Sequence, residues 1–595
     1  MPSGTEKIGS LGVLPEWDLG GLFPSMSSPL VGKCLAGARV DAQKLAEKYR
    51  GKIGALEANE LFDLIKDYES LQDRLGRISS FSQLIYAADM GDEKNGGFYQ
   101  TMQEKCTEIA AVLLFVTLEI NRLDSSRVEQ LLESPVLGSY GAWIRDCRIF
   151  GPYQLSDDVE AILLDKTVTG RAAWVRLFDE TISNLKFHYD GKILNSSEAF
   201  DLLASSDGTI RGGIAREISK VLTDQSQTLT LITNTLIKDK EIEDNKRNFG
   251  APISMRNLEN LVEDEIVESL IGAVEKSYPN LSHRYYRMKA KWLGQEKLNY
   301  WDRNAPLPED DDRLISWEEA RSLVLSAYDG FSPKMAQIAE RFFKSEWIDA
   351  GVRSGKAPGA FSHPTVPSAN PYVLLNYQGK VRDVMTLAHE LGHGVHQVLA
   401  AGQGALLADT PLTLAETASV FGEQLTFRSM LSKEESPVRR KLMLAGKVED
   451  MLNTVVRQIS FCQFERKLHD LRPSGELSSE VIGQAWMEEQ RKSLGPGIDL
   501  HEDYSVYWSY IPHFIHTPFY VYAYAFGDCL VNSLYGIYQS SADGFEEKYL
   551  DMLRAGGSKR HFELLKPFGL DAGNSSFWYE GLKVIEGFID ELENG

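Results

Sequence analysis

Residues 381–400, VRDVMTLAHELGHGVHQVLA, decide how this chain is read. Val384, Leu387, Ala388, Leu391, Val395 and Leu399 recur at three- and four-residue spacing, the period of a helix that buries one face. Gly392 and Gly394 weaken such a helix, yet they let a neighbouring element pack close. In a helix, positions i and i+4 differ by about 40° around the axis and by about 6 Å along it. His389 and His393 therefore point the same way, one turn apart, and both imidazoles can reach one cation. Neutral imidazole nitrogen suits Zn²⁺ at about 2.0–2.1 Å. Glu390, beside the first histidine, takes the place of a base for a water held by that metal.

A catalytic zinc needs a third protein ligand and an open fourth position. Downstream, residues 410–427, TPLTLAETASVFGEQLTF, read as a second helical segment. A connecting loop and an antiparallel helix would bring Glu416 back to His389 and His393, and two His plus one Glu is a hydrolytic zinc set. One Zn²⁺ per chain is the expectation. Glu423, about two turns after Glu416 on the same face, is either a partner that orients a ligand histidine or a solvated surface acid. His396 competes on spacing alone, but three ligands from one straight helix spread over about 10 Å of axis, too far to meet one ion. Asp409 reads as a loop acid.

Further on, residues 504–527, YSVYWSYIPHFIHTPFYVYAYAFG, are unusually aromatic. A buried aromatic helix explains most of these rings. Hydrolysis of a peptide bond, however, develops negative charge on the former carbonyl oxygen, and Tyr O–H or His N–H donors stabilise it. His513, Tyr520 and Tyr524, spaced by seven and four, line one face of a helix and are read as those donors. Tyr522 points elsewhere on an ideal helix, but Pro518 shifts the phase, so Tyr522 stays an alternative.

Helical spacing also marks residues 55–88, 109–132, 199–237, 258–278, 317–343, 437–471 and 577–592. Strand-like alternation is confined to PYVLLNY at 371–377 and, more weakly, to 359–362. The fold class expected is mainly α, with one small sheet near the site. PYVLLNY is also read as an edge on which an extended peptide can pair. Breaks fall near Gly151–Pro152, at 241–253, and in the acidic connector NAPLPEDDD at 304–312. A helical N-terminal region at 1–195 followed by a catalytic region at 196–595 is the expected division.

The 63 Lys and Arg against 85 Asp and Glu give a net charge of −22, which repels phosphate backbones and argues against nucleic-acid binding. No Walker A loop and no dinucleotide fingerprint follows a strand. The five cysteines are far apart, and an odd number suits buried free thiols in a reducing compartment. The start, MPSGTEKIGSLGVLPEWDL, lacks a basic region followed by an apolar run, and the longest apolar stretch, 109–120, is too short to span a bilayer. A cytoplasmic protein without a membrane partner is expected.

Taken together, HELGH at 389–393, AETAS at 415–419 with Glu423, PHFIHTPFYVYAYAFG at 512–527 and AGGS at 555–558 resemble the M3 metallopeptidases, most closely the oligoendopeptidase F-like branch. RYYRMKAKWLGQEKLNYWDR at 284–303, GKAPGAFS and PYVLLNY extend the likeness, which covers about 240–590 well and the N-terminal region more loosely, best at about 110–190. The resemblance implies a two-lobed helical fold with a deep channel and zinc at its floor. By the same resemblance, His389, His393 and Glu416 are ligands, Glu390 is general base and acid, and the His and Tyr residues of 512–527 hold substrate and oxyanion.

The function expected is a zinc-dependent endopeptidase acting on short unfolded oligopeptides, as a monomer or small homo-oligomer. Two alternatives stay open: an exopeptidase on the same scaffold, which needs a charged group to hold a free terminus, and a catalytically silent peptide-binding protein.

Overall fold

The apolar period at 55–88 builds one long helix, Ala58–Ala88, that buries Leu61, Leu64, Ile65, Leu71, Leu75 and Ile78. Each such side chain contributes about 1.5–3 kcal/mol when fully removed from water. The helix begins later than its apolar pattern because residues 53–55 form a separate 3₁₀ turn. The Glu60 carboxylate then accepts from the Glu57 N–H at 3.0 Å and closes the first turn. The run at 109–132 divides among three helices, Glu93–Leu113, Phe115–Asn121 and Ser125–Leu132. At 241–253 the expected break comes late: the helix Ser226–Arg247 continues until Asn248 turns left-handed at φ 62°.

The computed structural model describes residues 11–167, 169–307, 313–541 and 543–594. Helix takes 71% of the described residues beside a few small sheets, which is the mainly helical architecture expected. Residues 1–10, at the start of the leader reading, and 308–312 of the acidic connector lie outside the described residues. No described helix is long and apolar enough to cross a membrane. All five cysteines are free thiols. Two compact units divide the chain: Met1–Pro152 with Asp312–Lys433 and Ile537–Leu570, and Tyr153–Asp311 with Glu434–Gly536 and Asp571–Gly595.

In the first unit, strands β1 (Ile348–Asp349), β2 (Phe361–His363) and β3 (Tyr372–Leu374) form one sheet. β3 is the middle strand, parallel to β1 and antiparallel to β2. Lys356 ties the sheet together. Its buried Nζ donates to Asp349 Oδ1 at 2.7 Å and to the carbonyls of Gly351 and Leu375 at 2.8 and 2.6 Å. PYVLLNY therefore has strands on both sides and its centre is wholly buried, which corrects the reading of it as a free edge. Helices α1 (Val381–Ala400) and α2 (Thr417–Lys433) follow. Val384, Leu387, Ala388, Leu391 and Val395 of α1 are fully buried, as the spacing predicts, whereas Leu399 is only half-buried.

The second unit contains α3 (Val456–Leu471), the one-turn helix α4 (His513–His516) and the start of α5 (Tyr522–Ser540). The single helix expected through 513–524 is thus interrupted. Thr517 leaves the helical region at φ −143°, ψ 72°, and Phe519 is left-handed at φ 60°. A non-glycine residue in that region costs on the order of 1–3 kcal/mol and needs support from its surroundings. Three side chains supply it. Arg171 donates to the carbonyls of Ile515 and His516 at 3.0 and 2.8 Å, and Arg256 to that of Pro518 at 3.2 Å. Glu465 of α3 accepts from the Phe519 N–H at 3.0 Å.

Candidate metal centre

The stripe of α1 that holds His389 and His393 is its partly open one; the two side chains keep 27% and 20% exposure. Their rings lie 4.9 Å apart and nearly perpendicular. Gly392 and Gly394 do permit close packing. A Cβ at Gly392 would stand 2.6 Å from the Ser419 Cα of α2, and one at Gly394 would press on the Phe342 ring.

Glu416 occupies a break between the short helix Leu412–Ala415 and α2. Thr417 Oγ1 donates to the Leu414 carbonyl at 2.6 Å, and the Tyr549 hydroxyl donates to that of Thr417 at 2.8 Å. The loop before the break is clamped by AGGS: Gly556 is left-handed at φ 50°, and the Gly557 N–H donates to the Leu407 carbonyl at 2.8 Å. Glu416 is thereby returned to α1, with Oε2 3.3 Å from His389 Nε2 and 3.5 Å from His393 Nε2. One donor atom from each of the three residues lies within 4.8 Å of the others. Ser419 Oγ donates to Glu416 Oε2 at 2.6 Å and fixes that carboxylate.

Glu423 stands with Oε2 3.4 Å from His389 Nδ1, so the acid faces the far nitrogen of a cluster histidine. His396 turns elsewhere. It is buried with Nε2 3.3 Å from Thr410 Oγ1, and burial holds its imidazole down at about 4. Asp409 is exposed in the loop and outside the cluster. Glu390 is 7% exposed, and the Ser362 N–H donates to its carboxylate. Gln397 braces Ser362 in turn: Ser362 Oγ donates to Gln397 Oε1 at 2.9 Å, and Gln397 Nε2 donates to the Ser362 carbonyl at 3.2 Å. This support was missed in the sequence. The available signal was Gln397 two turns beyond Glu390 on the same face of α1.

Burial lowers the His389 imidazole, but the hydrogen bond to Glu423 and the charges of Glu416, Glu423 and Glu390 overcome it and lift the group to about 9. His393 moves the other way: burial and the charge of His389 hold it below the ordinary range against the pull of Glu416. Glu416 is lowered; burial opposes this, and His393, His389 and Ser419 prevail. Burial pushes Glu390 up to about 7, with His389 pulling against it. Three acids around two imidazoles leave negative charge that draws a proton onto His389. A divalent cation can take that proton's place, and two imidazole nitrogens with one carboxylate oxygen fit zinc.

The second unit carries its own polar group. His513 Nε2 is 3.3 Å from the Tyr524 hydroxyl, and the Tyr520 and Tyr524 rings lie 5.2 Å apart. The three residues chosen from sequence do come together, through the break at 517–519 rather than along one helical face. Tyr522 is fully buried, and its hydroxyl accepts from Asn260 at 2.9 Å, so it is not part of this group. Burial, then the charges of Arg457 and His516, keep the His513 imidazole below its ordinary value.

The sequence pattern of Peptidase family M3 matches residues 202–584, and that of Oligopeptidase F matches 119–187. Oligopeptidase PepF of Bacillus subtilis is 26% identical, over 92% of this chain and 82% of its own. An oligoendopeptidase F homolog of Borreliella burgdorferi is also 26% identical, over 97% of this chain and 98% of its own. Among solved structures, a candidate peptidase from Chlamydophila abortus superposes with a TM-score of 0.83 at 22% identity, over 97% of this chain and 98% of its own. Oligoendopeptidase-F from Enterococcus faecium superposes at 0.71 with 21% identity, over 95% of this chain and 98% of its own.

Proposed function

The chain belongs to peptidase family M3 and is a metallopeptidase of the oligoendopeptidase F kind, and on that premise we propose that it is a zinc-dependent endopeptidase cutting internal bonds of short unfolded peptides. The observation that carries the reading is the convergence of His389, His393 and Glu416 within 4.8 Å beside a buried, hydrogen-bonded Glu390.

Zinc, when bound, lowers the pKa of a water towards about 7 and polarises a substrate carbonyl. Glu390 accepts the proton of the attacking water and returns it to the leaving amine. The Ser362 N–H aims this carboxylate, and Gln397 holds Ser362. Glu423 fixes the tautomer and ring of His389 by holding Nδ1, which leaves Nε2 for the ion. To His513, Tyr520 and Tyr524 we assign hydrogen-bond donation to the substrate and to the oxygen that gains charge. Pairing of substrate with PYVLLNY is not retained, because both sides of that strand are taken.

The test uses peptides blocked at both ends, with products mapped by mass spectrometry. Internal cuts that vanish with chelator and return with zinc are expected. An enzyme that shortens only unblocked peptides contradicts the endopeptidase reading.

A further inference from the structure

The second unit holds two positive charges that the fold does not neutralise. Arg303 ends the stretch NYWDR, and Arg457 lies in the first turn of α3. The two guanidiniums act on each other as like charges, and both act on the phenols of Tyr286, Tyr504 and Tyr510. Arg303 hydrogen-bonds the Tyr504 side chain, while the Arg457 guanidinium sits over the Phe461 ring at 4.9 Å. Nε of both arginines is buried without a hydrogen-bond partner. Among the described residues neither makes an ion pair, in a chain with 85 Asp and Glu.

Nearby cations of the same unit are treated differently. Buried Arg211 pairs with Asp302 at 2.8 Å, and buried Lys289 with Glu449 at 2.5 Å. Tyr286 cannot stand in as an anion: burial pushes its phenol up to about 12, so it stays neutral. Two like charges side by side, each with a buried Nε that has no partner and neither with a counter-ion, are relieved by an anion that fits. Paired guanidinium forks match a planar carboxylate. Arg303, Arg457 and His513 are all partly exposed, and the charge of Arg457 reaches His513, the residue assigned above to substrate.

We propose that Arg303 and Arg457 form a subsite that binds a carboxylate of the peptide substrate, either its free C-terminus or an acidic side chain. This rests on the peptidase reading.

The test is calorimetric binding to the purified full chain supplemented with zinc. The probe is a peptide with N-methylated backbone amides, which is not cut, in matched versions: C-terminal acid or amide, and internal Glu or Gln. The wild type is expected to bind a carboxylate version about tenfold tighter than its neutral match. Arg303→Gln and Arg457→Gln should each bring that ratio close to one. A preference that follows the C-terminus or the Glu identifies which carboxylate is bound. Equal binding of all versions by the wild type overturns the proposal, as does a preference that survives in both variants; the wild-type comparison needs no variant to fold. Preference without any hydrolysis of blocked peptides would leave the subsite and remove the endopeptidase reading, whereas hydrolysis without preference would remove only the subsite.

Discussion

Gly392 meets the backbone of Ser419 so closely that a Cβ at 392 would stand 2.6 Å from the Ser419 Cα. No rotamer relieves a clash with main chain, so α1 and α2 would have to part. That contact adjoins His393 on α1 and Glu416 in the break just before α2. Gly392→Ala is expected to cost about 1–3 kcal/mol of stability and to weaken metal binding. Gly402→Ala, where a Cβ meets nothing within 4 Å, is the control. Thermal melts and zinc titrations of the two variants check this, and matching behaviour would contradict it.

Removing the Glu423 carboxylate frees the His389 ring and takes charge from the cluster. Glu423→Ala is expected to lose about 10–100-fold in zinc affinity, measured by competition with a chromophoric chelator. Glu423→Gln, which still offers an oxygen to Nδ1, should lose less. Unchanged affinity in Glu423→Ala would deny the acid an orienting role.

Glu465 gives the fold a pH dependence away from the cluster. Burial pushes its carboxyl up to about 8, against the Phe519 N–H, Arg256 and Lys240. The folded chain thus keeps a proton that the unfolded chain releases near 4.5. The resulting stability is complete below that value and is lost as pH rises through about 8. The melting temperature should therefore fall by a few degrees between about pH 5 and about pH 8 and level off above that. Glu465→Gln, neutral throughout, should flatten the decline; an identical slope in the variant speaks against this role.

Tyr520→Phe and Tyr524→Phe remove one hydroxyl each and leave the rings in place. If these groups serve the charge that develops during reaction, kcat falls more than KM rises. Steady-state kinetics on one fluorogenic peptide separates the two. A pure rise in KM would assign the tyrosines to substrate holding alone.

How far the sequence carries depends on where each constraint comes from. α1 is legible because its burial pattern and its two histidines share one local period, and Gly392 and Gly394 mark the close approach. That Glu416 returns to the two histidines is legible, but not its seat in a helix break, since that break is held by Tyr549 and the AGGS turn from far along the chain. The continuous face drawn through His513, Tyr520 and Tyr524 fails for the same reason: Arg171, Arg256 and Glu465, remote in sequence, grip the backbone at 515–519. Alternation alone showed that PYVLLNY is a strand, yet a short apolar run carries no sign of whether it is central or an edge.

The central claim is that His389, His393 and Glu416 hold one ion whose chemistry Glu390 completes. Elemental analysis of purified wild type, Glu416→Ala and Glu390→Gln tests it in one measurement. About one zinc per chain is expected in the wild type and in Glu390→Gln, the latter slowed by roughly 10²–10⁴-fold or more, with little zinc in Glu416→Ala. Full zinc occupancy in Glu416→Ala would contradict the account.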